Sequence, residues 1–85
     1  MTLYQFNALD EMEQAEAVWS GTHIGDRIDG EHNILLYQID GFYVEVYYHQ
    51  MYNVIRKFRS FSSTDQLEPY FDQIDISKLN QKKPD

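Results

Sequence analysis

With 85 residues the chain has room for one hydrophobic core and not two, and a composition 42% hydrophobic and 15% aromatic excludes a disordered polymer. Acidic side chains number 14 against 7 basic ones, for a formal net charge of −7, a field that repels phosphate backbones and anionic lipid surfaces. The lack of cysteine removes disulfides, thiolate nucleophiles and cysteine-held metals, and suits a reducing cytoplasm.

The N-terminal MTLYQFNALDEMEQ has no basic start followed by an apolar run, so no signal peptide is expected. No stretch approaches the roughly 20 apolar residues that span a bilayer. The first element reads as a helix over about residues 8–19, with Asn7 as N-cap and Asp10 at capping-box spacing. Ala8, Met12, Ala15 and Trp19 form its apolar stripe, widened by Leu9 and Val18. Gly21 is a natural stop.

Asp29-Gly30 and Asp40-Gly41 are dipeptides of two-residue hairpin turns, in which both central positions favour positive φ. NILLYQI lies between them and FYVEVYYH follows. A third connection falls at Gln50–Asn53, where Asn53 suits the left-handed position, and NVIRKFRSF makes a fourth strand. Opposed residues share a face, so the second turn gathers Leu35, Tyr37, Ile39, Phe42, Val44, Val46 and Tyr48. The first turn adds Ile24 and Ile28 by setting Ile24 opposite Leu35, and the last adds Val54 and Phe58. This is the expected core face.

SSTDQLEPYFDQIDIS closes the fold as a helix capped by Ser63 or Thr64. It is expected in two short pieces with a regular turn beginning at Pro69, and its stripe is Leu67, Tyr70, Phe71 and Ile74. The expectation is one α+β domain over 1–85 with its core at about 7–76 and a frayed tail over 77–85. Its architecture is a four-stranded antiparallel meander with both terminal helices packed on one face, α-β-β-β-β-α.

The opposite face then carries His23, Arg27, Gln38, Glu45 and His49 around the candidate interaction set Ile34, Leu36, Tyr43, Tyr47, Ile55, Lys57, Arg59 and Phe61. Left uncovered, such a mixed aromatic patch marks an interaction surface. The expected role is therefore a non-enzymatic module that forms a homodimer or grips another protein. The alternative is a small-ligand or single-stranded nucleic-acid binder that stacks on the same tyrosines, beside Arg27, Lys57 and Arg59. Net charge, Glu45 within the patch and the lack of an RNP-type run weigh against nucleic acid. Glu45 opposite Lys57 or Arg59 reads as an ordinary cross-strand ion pair.

Other constellations are weaker. His32 opposes His49 in the hairpin register without a clearly placed third metal ligand, and both are expected as solvated hairpin-end residues. DRIDGEH lacks the spacing of an EF-hand, helix capping explains two of the hydroxyls among Ser60, Ser62, Ser63 and Thr64, and the four glycines form no phosphate-cradling loop. No cofactor, metal or catalytic set is expected, and the setting is cytoplasmic, without a membrane.

The segment ILLYQIDGFYVEVYYHQMYNVIRKFRSFSSTDQLEPYFDQIDIS, with its surroundings from about residue 33 to 77, resembles a group of short uncharacterised proteins of Bacteroidetes bacteria. The resemblance implies a bacterial cytoplasmic protein and brings no activity or site residue with it.

Overall fold

A computed structural model describes residues 1–74; the tail expected over 77–85 lies outside the described residues. Two N-terminal helices, α1 (Leu3–Asn7) and α2 (Glu11–Trp19), precede strands β1 (Thr22–Asp29), β2 (His32–Ile39), β3 (Phe42–His49) and β4 (Val54–Phe61). A 3-10 segment (Thr64–Tyr70) follows. The strands make one antiparallel sheet in chain order, so the fold is α+β. Among the described residues no helix is long and apolar enough to cross a membrane.

The helix expected over 8–19 is α2, which begins at Glu11, and the further helix α1 precedes it over Leu3–Asn7. Thr2 and Gln5 cap α1 reciprocally, and Asp10 and Glu13 do the same for α2, so Asp10 is the N-cap in place of Asn7. This break lets Phe6 of α1 enter the core beside Val18 of α2, with ring contacts to Phe42 at 5.7 Å and Phe58 at 6.3 Å. Full burial of such a phenyl ring is worth roughly 2–3 kcal/mol. The expected stripe is displaced accordingly: Met12 is 74% exposed and Trp19 51% exposed, the indole resting edge-on against Tyr37.

The Asp40-Gly41 turn has the expected register, Ile39 opposite Phe42, Tyr37 opposite Val44 and Leu35 opposite Val46. Positive φ is needed at the first central position of each tight turn, 50° at Asp40 and 62° at Gly30, and Asn53 takes its expected left-handed conformation at 54°. The first hairpin turns on Gly30-Glu31 in place of Asp29-Gly30, moving the register by two residues without changing parity. Parity does change at a bulge between His23 and Gly25. It puts His23 against Tyr37 on the helix-covered face and turns Ile24 to the opposite one. A second irregularity, with Arg56 as the extra residue, pairs Ile55 with Tyr48 and Val54 with His49. Ile55 therefore packs on the core beneath the helices, and Val54 is 43% exposed.

The C-terminal element differs most from expectation. It is a 3-10 helix, with Ser63 as N-cap accepting from the Asp65 amide, and Pro69, which lacks the N–H for α-helical bonding, near its end. At three residues per turn Leu67 and Tyr70 eclipse each other and are wholly buried, whereas Phe71 falls off the line and is 45% exposed. The segment lies on the face opposite α1 and α2, against Leu36, Tyr43 and Phe61. The sheet is thus covered on both faces, and the terminal elements do not share one.

Candidate functional site

The face expected to be open is closed over much of its length by the chain itself. Ile34, Leu36, Tyr43 and Phe61 are buried, and the Tyr43 and Phe61 rings stack on each other at 5.5 Å beneath the C-terminal segment. Ile55 lies on the other face, and Tyr47 is half-buried. Lys57 and Arg59 are exposed: the Lys57 ammonium sits 4.5 Å from the Tyr47 ring centre, and Arg59 is held by Glu45. Of the candidate set, Tyr47, Lys57 and Arg59 reach solvent together, and the others do not.

At the centre of this face Glu45 is 1% exposed, far from the exposed ion pair that its register suggested. Arg59 Nη1 donates to Oε1 at 2.8 Å, while Arg27 Nη2 at 3.2 Å and the Tyr70 hydroxyl at 2.6 Å donate to Oε2. The Tyr47 hydroxyl stands 3.5 Å from Oε1. Arg27 Nε also donates to the Tyr70 oxygen, and Arg59 to Gln66 in the C-terminal segment. Desolvation, followed by the bond to Glu45, pushes the Tyr70 hydroxyl far above the usual phenol range. Burial and the Glu45 charge raise Tyr47 as well. Burial opposes the charge on Arg27, but the bond to Tyr70 and the nearby carboxylate outweigh it and raise its pKa. A carboxylate with each oxygen occupied by charged or hydroxyl donors fastens the C-terminal segment to the sheet.

That segment is fastened at β1 too. The Gln73 carboxamide takes the Asp26 N–H at 2.8 Å and donates to the Asp26 carbonyl, pairing with the edge strand as a further strand would. Gly25 makes room: a Cβ there would stand 3.1 Å from Tyr70 Cδ1 and 3.1 Å from Gln73 Oε1. Tyr70, Gln73 and Gly25 were not among the residues read as functional. The glycine inside a strand was the available signal.

The second constellation is at the far end of the sheet, where the turns after β1 and β3 meet. Gln50 N donates to the Glu31 carbonyl at 2.9 Å, and the Gln50 side chain to Asn33 at 3.1 Å. His49 is 6% exposed, although a solvated histidine was expected. Its Nδ1 accepts the amides of Met51 and Tyr52 at 3.2 and 3.3 Å, which leaves Nε2 to carry the proton and donate to Glu31 at 3.1 Å. His32 opposes His49 as expected, ring centres 5.6 Å apart. The amides on Nδ1 divert it from metal ligation, and among the described residues no group of three ligating side chains gathers. Around these turns a depression of about 260 Å³ is lined by Gly30, Glu31, His49, Gln50, Met51 and Tyr52. Met51 is 76% exposed, Tyr52 65% and Ile28 72%.

No protein-family model, curated protein or solved structure matches the chain.

Proposed function

We propose that the protein is a non-enzymatic interaction module that engages another polypeptide through the joined hairpin end of its sheet. The observation that supports this is the exposure of Ile28, Met51, Tyr52 and Val54 around two turns held together by His49, Glu31 and Gln50. Tyrosine and methionine supply much contact area for little lost conformational freedom when presented on an ordered support, and such residues are enriched in interfaces. The turns that carry these residues lie at the end of the sheet opposite the Asp40-Gly41 turn. The homodimer expected through Tyr43 is not retained, because Tyr43 is beneath Tyr70's segment. A bacterial cytoplasmic setting accords with the resemblance noted above.

Site-specific photocrosslinking tests the reading. A photoreactive residue at 52 is expected to trap one polypeptide, a second copy or another protein, and Met51→Glu to abolish the adduct. The same reagent at Glu16, on the exposed side of α2, serves as control. Equal adducts from both positions, or none from position 52, would defeat the proposal.

A further inference from the structure

We infer that β4 is a docking edge for an extended acidic segment of another protein, which adds to the sheet as a fifth strand. The two edges of the sheet are treated differently. At β1 the Gln73 carboxamide occupies the main-chain donor and acceptor of Asp26. At β4 the sheet ends, and among the described residues no further strand pairs with it. An edge strand presents a row of main-chain groups that an extended peptide can complete.

Charge selects the occupant. Of the basic residues at positions 1–74, Arg27, Arg56, Lys57 and Arg59, all but Arg27 lie on β4. Arg59 is held by Glu45, which it shares with Arg27, whereas Arg56 and Lys57 are exposed and form no ion pair among the described residues. The acidic residues Asp10, Glu11, Glu13 and Glu16 are at and within α2, which packs on β2. Asp65 and Glu68 follow in the 3-10 segment beyond Phe61; exposed charges are screened over about 10 Å at ordinary ionic strength, so a segment set on Arg56 and Lys57 answers first to those two.

A second copy of the chain fits poorly. Two β4 edges paired antiparallel would bring Arg56 and Lys57 of each copy together, and like charges across strands repel. The acidic β1 edge of another copy has Asp26 already paired with Gln73. Nucleic acid would place a phosphate charge every 3–4 Å along a strand against a molecule of net charge −7, and could not complete the main-chain ladder. The inference does not depend on the hairpin-end reading, because it rests on the β4 edge with Arg56 and Lys57, and the two share Val54 alone.

The test uses an eight-residue peptide of alternating Glu and Val with the full-length protein, followed by amide exchange and backbone NMR. The expected result is protection of the β4 amides directed away from β3, alternating on either side of the bulge at Arg56, with binding about tenfold weaker in Arg56→Glu/Lys57→Glu. Arg56→Gln/Lys57→Gln, which should keep the fold, is expected to give an intermediate loss, and Met12→Ala on the exposed side of α2 to leave binding unchanged. Equal binding of a Lys-Val peptide would overturn the inference. So would β4 shift changes without amide protection, tighter binding of a single-stranded oligonucleotide to the same amides, or concentration-dependent protection of β4 without peptide.

Discussion

The Tyr70 hydroxyl donates to Glu45 Oε2 at 2.6 Å, joining the C-terminal segment to the middle of β3 inside a buried cluster that also holds Arg27 and Arg59. Tyr70→Phe removes this donor and keeps the ring, and is expected to cost about 1–2 kcal/mol in urea unfolding. Glu45→Gln takes the charge from between two guanidinium groups, and should cost about 2–4 kcal/mol. The double variant should fall short of the summed losses by more than about 0.5 kcal/mol, since both changes break one contact. Additive losses would show that the contact contributes nothing of its own.

The same contact gives stability a slope in alkali. Burial first, and the bond to Glu45 second, raise the folded Tyr70 pKa above that of an unfolded tyrosine. The contribution is therefore whole below about pH 10, where the unfolded phenol titrates, and is lost as pH rises further. Urea midpoints are expected to drop steadily above that pH. Tyr70→Phe should flatten the fall without abolishing it, because Tyr47 is raised in the same sense. Parallel slopes in the two proteins would contradict the assignment.

Gly25 permits the close approach of Tyr70 and Gln73, each 3.1 Å from an added Cβ. Gly25→Ala should gain about 0.4–1 kcal/mol from the stiffer unfolded chain and lose more by pushing the segment off β1, a net cost of about 1 kcal/mol. Amide exchange at Asp26 reports the displacement directly. Gly41→Ala, where a methyl meets nothing within 4 Å, is the control and should cost nothing. Unaltered exchange at Asp26 in Gly25→Ala would show that the segment tolerates the methyl.

Parity explains how far the sequence could be read. Phe42, Val44 and Val46 alternate without interruption, and Asp40-Gly41 sets their partners, so that half of the core was legible from local chemistry. The bulges at Ile24 and Arg56 were not, because each reverses parity within a strand whose alternation carries no sign of the extra residue. Ile24 turns towards Leu36 and Tyr70 on a face whose cover comes from residues 64–74. Nor could the spacing of Leu67 and Tyr70 choose a face, since an amphipathic stripe fits either side of an apolar sheet. That choice converted the expected binding surface into core. It also turned Glu45 from an exposed partner of Arg59 into a buried anchor for Tyr70.

The proton on His49 is fixed by its neighbours and can be observed. Two amides directed at Nδ1, from Met51 and Tyr52, require a bare nitrogen there, so the hydrogen is on Nε2 and points to Glu31. Long-range nitrogen–proton correlation of the ring is expected to show a single Nε2–H tautomer. His49→Phe keeps an aromatic ring, slightly larger, and removes the acceptor, leaving two amides to find water, at a cost of about 1–3 kcal/mol. Its effect should concentrate at residues 50–53, with faster amide exchange at Met51 and Tyr52 and little change at Val44 or Val46. If crosslinking from position 52 survives His49→Phe undiminished, the histidine supports the turn but does not pre-organise the contact. Loss of the adduct with the β3–β4 pairing intact would tie the buried imidazole to the presentation of Tyr52.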